Sequence, residues 1–357
     1  MHSAERRGRL AVEVASRPRA RWQTLYLVAA VVACGATGLW LWLVEGSAPM
    51  SPAGSTPLSL EEIPFDGAQA YAYLKQLCEF GPRPSGSEAM RQQQKYLVEH
   101  FRNLGAQVTL QEFSTRHPTQ RRRVTLANIV VEWHPQTTER ILLCAHYDTR
   151  PYPDQDPLRP RGRFVGANDG ASGTALLMEL GRHMPQLRGT IGVDFVLFDG
   201  EEFVYSERDR YFLGSTHFAR QYAARRGPPR YRYGVLLDMV ADAQLEIYQE
   251  QHSVRWQDTR PLVDDLWDTA RRLGVREFIA RSRHLIRDDH IPLHDIARIP
   301  TCNVIDFDYP YWHTERDLPE QCSALSLAKV GWVIHEWLKQ TVANEGRLAV
   351  ETAGNRP

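Results

Sequence analysis

Gly192-Val193-Asp194-Phe195-Val196-Leu197-Phe198 runs straight into Asp199-Gly200-Glu201-Glu202. The largely apolar run from Val193, bounded by Gly192 and Gly200, reads as a strand buried on both faces. Two adjacent carboxylates at the exit of such a strand are costly unless something binds them, because buried charges are paired or hold a metal. In open α/β sheets, ligands sit at the carboxyl ends of the strands. One glutamate can hold a cation there while its neighbour moves protons.

Outward from this stretch, strands and helices alternate. Val108–Phe113, Leu126–Trp133, Ile141–Ala145, Tyr233–Val240, Leu245–Gln249 and Pro300–Phe307 have strand patterning. Glu88–Leu104 reads as a helix capped by Ser87 and closed by Gly105. Ser172–Met184, Tyr211–Ala224, Pro261–Leu273 (with Gly274 at its end) and Ala324–Val342 are further helices. The alternation predicts an α/β fold of three layers, with a mostly parallel twisted central sheet flanked by helices. The Pro/Arg/Asp-rich stretch Thr149–Arg163 is a loop placed to rim a cleft. Arg121–Arg123 reads as a solvated turn before a strand.

Four other segments repeat the pattern of an acid or imidazole at a strand exit or a helix start. They are His146-Tyr147-Asp148, Asn168-Asp169-Gly170, Leu237-Asp238 and Tyr311-Trp312-His313-Thr314. Parallel strands would bring His146, Asp169, Glu201, Glu202, Asp238 and His313 to one edge of the sheet. Oxygen ligands with two imidazoles suit a catalytic Zn²⁺, which keeps one position open. Asp148 is spaced to brace the His146 imidazole from behind.

The order HYD, NDG, DGEE, LLD and WHT resembles the zinc-dependent M28 peptidase clan, which contains aminopeptidases and the animal-type glutaminyl-peptide cyclotransferases. The match runs from about Phe80 to Leu338 and includes Gly81-Pro82-Arg83-Pro84-Ser85-Gly86-Ser87. Ile286-Arg287-Asp288-Asp289-His290-Ile291-Pro292, Trp312 before His313, and the stretch from Phe198 through Gly214-Ser215 look closer to the cyclotransferases. The resemblance implies one zinc held by Asp169, Glu202 and His313, with Glu201 as the proton-transfer group. It implies Asp238 and Asp288 as a hydrogen-bonded acidic pair, Trp312 as a wall of the substrate pocket, and a peptide or protein N-terminus as substrate. In the aminopeptidase alternative, two zinc ions bridged by Asp169 would also engage His146 and Asp238. The chain departs from the cyclotransferase pattern at Tyr205-Ser206-Glu207-Arg208, where a tryptophan is missing, and at the cation Arg287.

The 357 residues hold 43 Lys plus Arg against 43 Asp plus Glu, so no excess charge points to nucleic acid as a partner. Leu25 to Val44 is uncharged and long enough to span a bilayer. Arginines at 6, 7, 9, 17, 19 and 21 precede it, which predicts a cytoplasmic N-terminus. The expected organisation is a basic segment 1–24, a transmembrane signal anchor 25–44, a flexible linker 45–57, an extracytoplasmic zinc-dependent domain 58–343 and a polar tail 344–357. An exported domain can form disulfides, with Cys302 and Cys322 one candidate pair and free buried thiols the alternative.

Overall fold

Gly192–Phe198 forms a strand whose every residue is buried. The reason is its place in the sheet, between a parallel and an antiparallel neighbour and under helices on both faces. The computed structural model describes residues 58–353, with side chains to residue 343. The expected basic segment, membrane anchor and linker lie outside the described residues. Among the described residues no helix is long and apolar enough to cross a membrane.

In chain order the elements are α1 (Gly67–Glu79), α2 (Glu88–Asn103), β1 (Gln107–Arg116), β2 (Arg123–Trp133), β3 (Glu139–His146), α3 (Ala171–Gly181), β4 (Gly192–Phe198), α4 (Leu213–Ala224), β5 (Arg230–Asp238), β6 (Ile247–Glu250), α5 (Gln251–Arg255), α6 (Arg260–Leu273), β7 (Phe278–Arg283), α7 (His290–Asp295), β8 (Thr301–Ile305) and α8 (Ala324–Ala353). The main sheet has the order β1-β2-β4-β3-β5-β8, and β6 pairs with β7 beside it. β1/β2 and β2/β4 are antiparallel, whereas β4, β3, β5 and β8 are mutually parallel. The sheet is therefore mixed, with a parallel half that carries the site.

Alternate residues of each strand point to opposite faces. Leu143, Phe195, Leu197, Val235 and Val304 pack in the large core with Leu176, Leu177 and Leu180 of α3 and Val330, Val333 and Ile334 of α8. Leu142, Cys144, Val196 and Leu236 pack on the other side with Phe218 and Ala219 of α4 and Leu293 of α7. Each fully buried leucine or phenylalanine contributes about 1.5–3 kcal/mol. From β3 the chain crosses to β4 on one side and then to β5 on the other. The strand order reverses at β3, and a crevice opens at the carboxyl ends there. His146 pairs with Phe198 and Asp238 with Ile305, so the four parallel strands end level.

Two expectations need correction, and one open alternative is decided. The last helix runs to Ala353, past the expected helix end at Val342. β5 begins at Arg230, earlier than its apolar part. Cys302 and Cys322 are free, as are Cys78 and Cys144. All four are buried, Cys302 and Cys322 among the side chains of the large core.

Candidate active site

The turn after β4 fixes the two glutamates. Gly200 takes φ 80°, and a Cβ there would meet Leu126 Cδ2 at 2.5 Å. The backbone amides of Glu201 and Glu202 then donate to Asp148 Oδ1 (3.2 Å) and Oδ2 (3.1 Å). Asp148 thus clamps the exit of β4 to that of β3, beyond its expected contact with His146 Nδ1 (3.7 Å). Asp199 turns away from the site and accepts from Ser85 Oγ (2.6 Å) and the Ala127 amide (2.9 Å). Burial, then the charge of Asp148, pushes Asp199 up to about 8.

Asp169, Glu202 and His313 meet. Each offers one ligand atom, all within 4.8 Å of one another, and all three residues are buried. His313 Nε2 lies 2.9 Å from Glu202 Oε1 and 3.4 Å from Asp169 Oδ2. Its Nδ1 stands 3.0 Å from Asp154 Oδ1, and its backbone is left-handed at φ 53°. Strain at a non-glycine residue of this kind persists only where the surroundings impose it. Asp169 is set by Asp317, whose carboxylate accepts from the amides of Asn168 (2.8 Å) and Asp169 (3.1 Å). Tyr309 donates to the same carboxylate at 2.8 Å. Gly170, at φ 93°, lets the chain pass Asp148, since a Cβ would lie 2.6 Å from the Asp148 carbonyl oxygen.

These residues fit zinc. Asp169 Oδ2 is buried with no hydrogen-bond partner, although nearly all buried polar atoms have one. Burial and the Glu202 charge hold Asp169 up at about 6. Burial opposes charge on Glu202, yet the His313 and Arg150 cations bring it down to about 2. Burial likewise opposes charge on His313, and Glu202 and Asp154 raise it to about 9.

A second set shares Asp169. His146 Nε2 lies 3.2 Å from both Asp169 Oδ1 and Asp238 Oδ1. Glu201 stands between the sets and the remaining acids, with one oxygen 4.0 Å from His146 Nδ1 and a side chain 12% exposed. Burial raises its carboxyl well above the ordinary range, and Glu202 and Asp288 add to the shift. Asp288 accepts from Asn303 Nδ2 (2.9 Å) and the Asp289 amide (2.6 Å). Burial, then the Asp238 charge, pushes it up to about 6. Among the described residues no hydrogen bond joins Asp238 to Asp288. The two carboxyls are electrostatic neighbours, each held by other groups.

A cavity of about 900 Å³ opens onto His313, with Trp312, Tyr152, Tyr205, Tyr211 and Phe307 in its walls. Trp312 stacks on His313 at 3.9 Å between ring centroids and 28° between planes. The 149–163 loop rims this cavity as expected, through Arg150, Asp154 and Arg161. Four partners of the site went unseen in the sequence: Arg150, Asp154, Asn303 and Asp317. Arg150 is the most consequential. Its amide and Nη1 donate to the two oxygens of Glu202 (2.8 and 3.2 Å), and its Nη2 donates to Asp154 (2.7 Å). These residues carry no periodic signal; position near HYD and WHT could have marked Arg150, Asp154 and Asp317, and nothing local marks Asn303 within β8.

Residues 128–338, more than half of the chain, match the model of peptidase family M28. The chain belongs to peptidase family M28. The M28 chain is 40% identical to Fimbriiglobus ruber glutaminyl cyclase, whose structure superposes with a TM-score of 0.74 over 82% of this chain and 99% of that one. It is 31% identical to a Zn-dependent exopeptidase from Parabacteroides distasonis (TM-score 0.71, 77% and 98% covered). It is 25% identical to the glutaminyl-peptide cyclotransferase of Bos taurus, over 72% of this chain and 77% of that protein. The M28 chain is thus an enzyme of a zinc-dependent type.

Proposed function

We propose that the protein is a glutaminyl-peptide cyclotransferase, converting N-terminal glutaminyl residues of peptides to pyroglutamyl with release of ammonia. The observation that carries this is Asp288. It is a buried carboxyl fixed by Asn303, its affinity for a proton raised by burial and then by the Asp238 charge, and it belongs to neither metal set. Metal-assisted hydrolysis needs the two sets and Glu201, and leaves Asp288 without a task. The similarity to glutaminyl cyclases supports the same reading.

In the reaction the substrate α-amine attacks Cδ of its own γ-amide, a C–N bond forms, and the bond to the amide nitrogen breaks. Zinc held by Asp169, Glu202 and His313 would polarise the γ-carbonyl and stabilise its developing negative charge. Glu201 takes the proton from the attacking amine and passes it to the departing ammonia. Its burial raises its affinity for that proton. Asp288 and Asp238 accept hydrogen bonds from the leaving nitrogen. Trp312 gives the glutaminyl side chain an apolar wall. Holding amine and amide together contributes about 7 kcal/mol or more to the barrier reduction.

The complete His146–Asp169–Asp238 set favours a second reading, a two-zinc aminopeptidase with Glu201 as the base for water. A Gln-initiated dipeptide decides between them. Ammonia release with a pyroglutamyl product supports cyclisation, and cleavage to free amino acids overturns it. Glu201→Gln should abolish turnover with zinc still bound.

We also propose that the catalytic domain lies outside the cytoplasm. Its support is the uncharged stretch Leu25–Val44 behind an arginine-rich leader. Protease protection in sealed vesicles tests it.

A further inference from the structure

A second cavity, of about 990 Å³, lies beside the substrate pocket, between the β1–β2 hairpin and the loop after Glu202. Arg116, Arg121, Arg122, Arg123, Arg208 and Arg210 all line it, and all six are exposed. The whole chain is formally neutral, so this concentration is a local departure. Arg122 and Arg123 are partly committed, to Gln120 Oε1 (2.5 Å) and to Ser114 Oγ (2.8 Å). Among the described residues, the side chains of Arg116, Arg121, Arg208 and Arg210 take part in no hydrogen bond or ion pair. The cleft's carboxylate, Asp209, accepts from the Tyr205 and Ser206 amides (2.9 and 2.8 Å) and faces its own loop. Glu207 lines the substrate pocket and not the cleft. The arginines therefore stand unneutralised in a concave surface.

The two cavities share one ridge. Tyr205 OH meets His117 Nε2 at 3.2 Å, and Phe203 packs edge-on against His117. Phe203 lines the arginine cleft while Val204 and Tyr205, next in sequence, line the substrate pocket. Thr119 lines the pocket while its neighbours Pro118 and Gln120 line the cleft. An extended peptide advances about 3.3 Å per residue, so a few residues carry a chain from pocket to cleft. Guanidinium groups bind carboxylates in bidentate pairs, which suits glutamate and aspartate side chains.

We propose that the arginine cleft is an exosite for an acidic segment of the substrate, a run of Asp or Glu a few residues beyond the N-terminal glutamine. This deepens the cyclotransferase reading and rests on it. The test compares ammonia release from short Gln-initiated peptides that carry either Asp/Glu or Asn/Gln in the downstream segment. The acidic peptide should show kcat/KM about tenfold higher at low salt, through KM. The preference should vanish at about 0.5 M salt, where screening is short-ranged. The combined variant Arg116→Glu, Arg121→Glu, Arg208→Glu, Arg210→Glu should prefer the neutral peptide and turn over a Gln-initiated dipeptide at the wild-type rate. Normal dipeptide turnover with equal acidic preference in wild type and variant overturns the exosite. Absence of ammonia from every substrate instead overturns the cyclotransferase reading. The cleft is then judged by fluorescence anisotropy of an N-acetylated, labelled acidic peptide, whose binding the variant must lose. Binding of phosphatidylserine vesicles by wild type, without discrimination between the peptides, would assign the patch to a membrane surface and overturn the proposal.

Discussion

Asp148→Asn should destabilise the protein by about 2–4 kcal/mol and weaken zinc binding about 10- to 100-fold. Asp148 is fully buried, and each of its oxygens accepts one backbone amide, from Glu201 and from Glu202. Asparagine keeps one acceptor and turns an NH₂ group toward the other amide. The loss of one charge-assisted hydrogen bond costs about 1.5–3 kcal/mol, and the orphaned buried N–H adds about 1–3 kcal/mol. Part of this is offset, because the Asp148 charge repels Asp199 and its removal relieves that repulsion. Asp148 belongs to neither ligand set, so its effect on zinc passes through the positions of Glu202 and His146. Denaturant unfolding of the metal-free protein reads the first quantity, and chelator competition reads the second. A variant with wild-type midpoint and wild-type zinc affinity would refute the claim that Asp148 holds the two glutamates in place.

Arg140→Met should cost about 3–5 kcal/mol, since it strips the partner from Asp194 inside β4, where Arg140 and Tyr231 OH (2.6 Å) both donate. Adding Asp194→Leu should recover much of the loss in denaturant titration. Trp312→Ala should raise KM for Gln-initiated peptides about tenfold at unchanged zinc content, because it removes an aromatic wall stacked on His313. His335 carries a pH signature. Burial, then the charges of His183 and Lys339, lowers its imidazole from 6.5 to about 4. The folded protein therefore holds it neutral while the unfolded chain protonates it more readily. Its contribution to stability is complete above pH 6.5 and is lost as pH falls toward about 4. His335→Gln should flatten the fall of melting temperature over that range relative to wild type, and an unchanged slope would contradict the assignment.

Much of the site was legible because it obeys a local rule. A buried strand that ends in an acid or an imidazole marks its own exit, so β4 was found with its bounds and Glu201, Glu202, His146 and Asp238 with it. α1 escaped notice although Asp66 caps it and Ala70, Leu74, Leu77 and Cys78 form an apolar face, a signal that was present. β7 escaped for another reason, since four of its six residues, Ala280–Arg283, are exposed. The arginine triplet 121–123 reads as a solvated turn, and the turn is solvated. What the local pattern omits is that Arg208 and Arg210 arrive beside it from a distant loop.

Composition and order alone determined an α/β chain with a metal-binding constellation at strand ends, because each of those groups is announced by the few residues around it. The tertiary structure alone decided which oxygen faces which nitrogen. Arg150 on Glu202, Asp317 beneath Asp169, Asn303 on Asp288 and Asp148 across two strand exits are pairings of residues far apart along the chain. Hydrogen bonds act over about 3 Å in space and are blind to sequence separation. The chain can therefore list its ligands in one dimension, but the groups that aim them become definite only when the sheet brings its ends together.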